Sequence, residues 1–244
     1  MYQARTYRNW THDRNLSSYS VIVKETDLYI RTSGDLRDKA FNSAEKYRNQ
    51  IENYIQLFPD FAKSFKPVFV DNGSPQIIKD MAEAAELFNV GPMAAVAGAI
   101  AEYVGKELLK SSEEVIIENG GDIFVSSKKN RTVAIYAGNS ALNGKYGIDI
   151  SAEDFPLGIC TSSGTVGHSF SFGKADAVVI VAVSTLIADA AATAICNMVK
   201  NKSDIITALN YAKNTGMLKG VVIIKDNDMG VWGELRLCEI SRCE

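Results

Sequence analysis

Residues 160–197 read CTSSGTVGHSFSFGKADAVVIVAVSTLIADAAATAICN, and the reading of this stretch decides the fold. It opens with hydroxyls and glycines, Thr161-Ser162-Ser163-Gly164-Thr165-Val166-Gly167, followed by His168, one of two histidines in the chain. The apolar run over 177–183 is short, unbroken and bounded by polar residues, the pattern of a strand buried on both faces. Ser184 or Thr185 can cap the helix predicted over 186–199. That helix is nearly all alanine and aliphatic, so it is expected to be buried and tightly packed. Asp189 and Thr193 interrupt it four residues apart, hence on one face, one turn above the other. A carboxylate on a buried helix needs a partner, because burying an unpaired charge is expensive.

Working outward, strands are predicted over 19–23 and 28–31, and a long helix over 36–57 that Ser33 or Asp35 can cap and Pro59 stops. The apolar stripe of that helix is Phe41, Ala44, Tyr47, Ile51, Tyr54 and Ile55, with Arg37, Lys46, Arg48 and Glu52 on the solvated face. Residues 58–72 read as irregular. Ser74-Pro75 looks like a cap followed by a first-turn proline, opening a helix to about Phe88. A second helix over 93–110 begins with small residues, Ala94, Ala95, Ala97, Gly98 and Ala101. They permit tight helix packing, or the approach of a ligand or cation to main-chain carbonyls. Glu118-Asn119-Gly120-Gly121-Asp122 separates strands over 115–117 and 123–126, as a hairpin turn or as the edge of a site. Further strands are expected over 132–136 and 146–150. A helix over 204–213 follows, and then a terminal hairpin with strands over 220–224 and 231–237 and its turn over 226–230.

Runs of strands followed by runs of helices indicate an α+β fold with a mostly antiparallel sheet and helices packed on one face. Strand pairs followed by helix pairs occur twice, which suggests an internal duplication. No linker-like stretch divides the chain, so the expectation is one domain over 1–244. With 46% hydrophobic residues the chain can build a substantial core. A net charge of −3 argues against nonspecific nucleic-acid binding. No apolar run is long enough for a bilayer and no signal-peptide pattern is visible, so a cytoplasmic protein without a membrane partner is expected. Cys160, Cys196, Cys238 and Cys243 have neither CxxC nor zinc spacing and read as reduced thiols.

Several of these segments together carry a resemblance. Glu118–Ile123 resembles the NxGGDI turn of the ApbE family of FAD:protein FMN transferases. Thr161-Ser162-Ser163-Gly164 is similar to that family's TSG turn, and the 188–194 stretch ADAAATA to its ADALATAL helix. Order and rough spacing also fit, over roughly residues 91–197. The chain as a whole is still more similar to a branch of that superfamily with ETDL, VGPMAAVAGAIAE, ENGGD and CTSSGTVGHS segments.

The resemblance implies a tunnelling fold of paired antiparallel sheets backed by helices. It implies magnesium held by Asp189, Thr193 and the main-chain carbonyl of Ala95, a hard oxygen set that suits this ion. It also implies a flavin nucleotide, FAD or FMN, or a similar phosphate-bearing ligand against Glu118, Asn119, Gly120, Gly121, Thr161, Ser162, Ser163 and Gly164. His168 and Asp122 are the candidates for proton transfer. Gly98 stands where the family has a lysine that contacts the flavin nucleotide, and residues 165–176 replace its HxxDPxTG segment, so flavinyl transfer is not expected. Two function classes follow: a magnesium-dependent transferase or hydrolase acting on a phosphate-bearing ligand, and a noncatalytic binder of a flavin, pterin or purine-type ring. Assembly into a homo-oligomer stays open.

Overall fold

The structure, a computed structural model, describes residues 15–165 and 171–240. In chain order it contains β1 (Ser17–Val23), β2 (Thr26–Thr32), α1 (Arg37–Leu57), α2 (Asp60–Lys63), α3 (Gln76–Leu87), a 3-10 turn (Pro92–Ala95), α4 (Val96–Leu109), β3 (Val115–Asn119), β4 (Asp122–Ser126), β5 (Arg131–Ala134), β6 (Tyr146–Ile150), β7 (Leu157–Ser162), β8 (Ala177–Ala182), α5 (Thr185–Met198), α6 (Asp204–Asn214), β9 (Leu218–Lys225), β10 (Asp228–Gly233) and β11 (Arg236–Glu239). Eight strands form one sheet in the order β1-β2-β3-β4-β7-β8-β9-β10, and β11-β6-β5 form a second. Every strand pair is antiparallel. The fold is thus the expected α+β type.

The two faces of the large sheet bury different things. One packs against α1, α3, α4, α5 and α6 through Leu28, Ile30, Ile117, Phe124, Cys160, Val178 and Ile180. The other, through Ile159, Val179, Val181 and Val222, meets Ile148 and Ile150 of the small sheet. Strand β8 lies inside the sheet between β7 and β9, and all six of its residues are buried, as its continuous apolar run requires.

Helix α5 is buried through Leu186, Ala188, Ala190, Ala191, Ala192, Ala194, Ile195 and Cys196. Its N-cap position is Ser184, but the capping group comes from elsewhere. Oε2 of Glu102, in α4, accepts hydrogen bonds from Ser184 Oγ (2.9 Å) and from the Thr185 N–H (2.6 Å). For α1, Oδ1 of Asp35 does accept the Arg37 N–H at 2.9 Å. The buried stripe of α1 includes Ala40 and Ser43, whereas Phe41 is exposed. Arg48 is not simply solvated: it donates to Glu52 Oε1 at 2.7 Å and Thr26 Oγ1 at 2.9 Å, and pairs with Glu25.

Four boundaries differ from expectation. The 58–72 region contains the short helix α2. Pro75 is the N-cap of α3 rather than its first helical residue, and Ser74 Oγ bonds to Asp71 instead of capping. Strand β7 was not predicted. The C-terminal hairpin turns at Asp226-Asn227, with Asp226 at φ 57°, and its return run is two strands in two sheets. Gly233 makes the break: its φ is 103°, and a Cβ there would lie 2.2 Å from the Lys219 carbonyl oxygen.

Among the described residues no single helix is long and apolar enough to cross a membrane. Helix α3 with the helical run 92–109 passes on length and composition together, but bends by 104°. Its Ile77, Ile78, Met81, Ile100 and Val104 lie in the core.

Candidate functional site

Antiparallel register brings several chain reversals to one end of the large sheet. Leu28 pairs with Asn119, Asn119 with Asp122, and Ile123 with Ile159, so the Gly120-Gly121 turn lies at the same end as Thr161 and Ser162. Both turn glycines have positive φ, 68° and 107°, as a two-residue hairpin needs. A Cβ on Gly121 would sit 3.8 Å from the Thr161 carbonyl oxygen, so the two turns touch. Oε1 of Glu118 accepts the Gly121 N–H at 2.8 Å, which commits that buried acid to shaping the turn.

Helix α4 enters this end N-terminus first. Nδ2 of Asn119 donates to the Ala97 carbonyl oxygen at 3.0 Å. The Gly98 N–H donates to Oδ2 of Asp189 at 2.8 Å. Helices α4 and α5 therefore cap each other: Asp189 takes N–H groups at the start of α4, and Glu102 takes those at the start of α5. Each carboxylate sits where a helix N-terminus favours negative charge. Close approach is possible only because residue 98 is glycine; a Cβ there would lie 2.5 Å from the Thr185 carbonyl oxygen and 2.8 Å from Asp189 Cβ.

Asp189, Thr193 and Asn197 follow at intervals of four along the same face of α5, and all three are half-buried on a helix otherwise largely buried. Burial pushes the Asp189 carboxyl well above its ordinary value of 3.8, Asp122 pushes it the same way, and the N–H groups of Gly98 and Ala97 oppose both. Cys160 is fully buried near both acids; burial raises its thiol well above 9.0, and Asp122 and Asp189 add to that. Such a thiol is a poor nucleophile. The Thr193 hydroxyl has no hydrogen-bond partner among the described residues, so it does not bond back to the carbonyl one turn earlier.

The hydroxyl turn is held from behind. The Gly164 N–H donates to the Ala175 carbonyl oxygen at 2.9 Å, and the Thr165 N–H to Ser163 Oγ at 3.1 Å. Asp176, buried, accepts Thr165 Oγ1 at 3.1 Å and the Asp226 N–H at 2.6 Å, tying this turn to the β9–β10 hairpin.

With that geometry established, the chain can be set beside known proteins. Residues 8–227 match the family described as AbpE bacteria. The chain belongs to this family. A UPF0280 protein of Methanocaldococcus jannaschii is 42% identical over 225 residues, covering 88% of this chain and 90% of the relative. A UPF0280 protein of Methanopyrus kandleri is 39% identical over 223 residues, covering 88% and 90%. Among solved structures, the apbe protein of Thermotoga maritima superposes with a TM-score of 0.53 at 13% identity, over 88% of this chain and 96% of that one. The Pseudomonas stutzeri flavinyl transferase ApbE, in its apo form, gives 0.51 at 11% identity, over 89% and 94%. At such identities the likeness is one of fold.

In this AbpE-family chain the structure gathers Asn119, Gly121, Asp122, Thr161 and Asp189 around the start of α4, with Ala95 fully buried in the turn just before it. Gly120, Ser162, Ser163 and Gly164 lie on the adjoining turns. His168 lies outside the described residues. Among those described, no group of three or more His, Cys, Asp or Glu side chains is arranged for a metal ion. Three contributors were missed from sequence. Glu102 had a signal, an acid inside an apolar helix four residues before Lys106. Asn197 had one too, the next step of the four-residue interval from Asp189. Asp176 had none, since its partners are remote in the chain. An open polar groove of about 400 Å³ beside the small sheet, lined by Asp149, Glu153, Asp154, Glu234 and Arg236, belongs to a different part of the fold.

Proposed function

We propose that this chain binds a flavin nucleotide or a similar phosphate-bearing ligand together with magnesium, at the sheet end where α4 begins and Asp189 of α5 meets it. One observation carries the reading: Asp189, which accepts the Gly98 N–H at the start of α4, lies near enough to the Asp122 carboxylate to feel its charge, and the Thr193 hydroxyl one turn on has no hydrogen-bond partner among the described residues. An acid whose proton affinity a neighbouring acid raises, beside such a hydroxyl, is the kind of hard oxygen set that a divalent cation stabilises. Magnesium bound by Asp189, Thr193 and the Ala95 carbonyl would neutralise phosphate charge. The Thr161-Ser162-Ser163 turn and Gly120 would face the anionic oxygens, the Gly121 and Gly164 N–H groups being held by Glu118 and by the Ala175 carbonyl. Asp122 and His168 are the groups proposed to move a proton. The repeated order of two strands, helices and two strands, in β1–β4 and again in β7–β10, supports an internal duplication behind this arrangement.

Flavinyl transfer is not part of the proposal. The position of the family lysine is Gly98, and the space a longer side chain would occupy is filled by α5. That observation favours the second reading, a noncatalytic binder of a flavin, pterin or purine-type ring, over a transferase. Calorimetric titration of the protein with FAD tests the main reading. Binding that requires magnesium, and that weakens in Thr193→Val and disappears in Asp189→Asn, supports it. Incubation with FAD, magnesium and a flavin-acceptor protein separates binding from transfer, and no covalent FMN is expected on the acceptor.

A further inference from the structure

Helix α5 carries one more polar group on its Asp189 face than the proposed function uses. Asn197 stands one turn beyond Thr193 on that face and is half-buried. Its Oδ1 accepts the Phe172 N–H at 2.8 Å and Ser171 Oγ at 3.0 Å. Of the two ends of the amide, only the oxygen can accept a backbone N–H, so these bonds fix which way the side chain lies. The planar amide turns Nδ2 away from residues 171–172. That nitrogen has no hydrogen-bond partner among the described residues, and it is not sealed from solvent. Asn197 therefore presents N–H donors whose direction is already set, which lowers the ordering cost for an acceptor that meets them.

Close contacts place this amide beside the hydroxyl turn. A Cβ on Gly164 would lie 2.1 Å from the Gly173 carbonyl oxygen, and one on Gly173 would lie 1.8 Å from the Cys196 carbonyl oxygen. The Ser162 hydroxyl is within hydrogen-bond reach of the Cys196 thiol. The last turn of α5 and the turn over 161–164 are thus packed together, and Asn197 follows Cys196 in the chain. The Thr193 hydroxyl lies one turn back, about 6 Å along the axis at 1.5 Å per residue.

A fixed donor and a hydroxyl on one helix face, beside a turn of hydroxyls, suit the oxygens of a phosphate, which accept several hydrogen bonds at once. We propose that Asn197 is a ligand-binding residue of this site, its Nδ2 donating to a phosphate oxygen that the hydroxyl turn also faces. This rests on the reading under Proposed function and adds a residue beyond the Asp189–Thr193 pair.

Asn197→Asp and Asn197→Ala separate this role from a purely structural one. Aspartate keeps an acceptor for Phe172 and Ser171 but replaces the donor with a negative charge. Alanine removes acceptor and donor and adds no charge. Calorimetric titration with magnesium pyrophosphate reads the difference. We expect wild type to bind, Asn197→Ala to bind roughly tenfold more weakly, and Asn197→Asp roughly a hundredfold more weakly, the scale of a lost hydrogen bond to a charged group without and with added repulsion. The unliganded melting midpoint of Asn197→Asp should stay near that of wild type, because both accepted bonds survive. A residue that only pins the 171–173 segment gives the opposite order, with aspartate close to wild type and alanine impaired, and that order overturns the proposal. So does binding at wild-type strength in both variants. Riboflavin, which carries a ring without phosphate, is the second probe. If Asn197→Asp weakens riboflavin binding and leaves magnesium pyrophosphate unchanged, the amide serves the ring and the phosphate assignment fails. Each of these outcomes leaves the proposed function standing. Wild type that does not bind magnesium pyrophosphate overturns the two together.

Discussion

Asp189 shows how one side chain can serve packing and chemistry at once. It accepts the Gly98 N–H, which accounts for its place at the α4–α5 contact. It also lies close enough to Asp122 that the Asp122 carboxylate disfavours charge on it. Because its folded-state value is raised above the ordinary 3.8, its contribution to stability is fully present below about pH 4 and is lost as the pH rises through the raised value. Asp189→Asn keeps an acceptor for Gly98 and removes the charge. Without magnesium, the variant should therefore lose less stability than wild type between pH 4 and pH 8, as read by urea unfolding at a series of pH values. Identical pH profiles would show that the charge at 189 is fully compensated without a cation. The sequence made this residue conspicuous, a carboxylate on an alanine helix, but not its partners. The α4 N-terminus is 91 residues away, and only the packed structure shows that it meets the acid.

At the scale of elements, α4 and α5 are joined by two carboxylate caps and one glycine. Glu102 is buried, accepts from the start of α5 and pairs with Lys106 at 2.6 Å. Glu102→Ala should cost about 2–4 kcal/mol, since it orphans buried N–H groups as well as removing a charged acceptor. Glu102→Gln, which keeps an acceptor, should cost clearly less; equal losses in denaturant unfolding would mean that side-chain volume, not capping, matters there. Gly98→Ala should cost about 1–3 kcal/mol by forcing the helices apart. An unchanged midpoint in that variant would contradict the close approach. Elements with strong local signals were legible: β8 from its continuous apolar run, α5 from its composition, and α1 from its apolar stripe. Strand β7 was not, because Leu157-Gly158-Ile159-Cys160 is short and runs directly into hydroxyls that read as a turn. The break between β10 and β11 was hidden for another reason: the φ of Gly233 answers to the neighbouring Lys219 backbone, not to local sequence.

Across the whole molecule, the large sheet separates two cores and collects its working turns at one end. Helices cover one face, the small sheet covers the other, and the β3–β4 turn, the end of β7 and the start of α4 meet at the end of the sheet where β8 begins. Antiparallel order and helices on one face were legible from the succession of strands and helices. The second sheet on the opposite face followed only from the family resemblance, because β5, β6 and β11 are short and half-exposed. The central claim is joint binding of magnesium and a phosphate-bearing nucleotide through Asp189, and thermal unfolding tests it most directly. Wild type and Asp189→Asn are melted at pH 7.5 alone, with magnesium, with FAD, and with both. The account predicts a wild-type midpoint raised by about 5–10 °C when both are present near a hundredfold excess over Kd, less with either alone, and no joint effect in Asp189→Asn. A wild-type midpoint that does not move in any combination, or a joint effect of equal size in the variant, would contradict it.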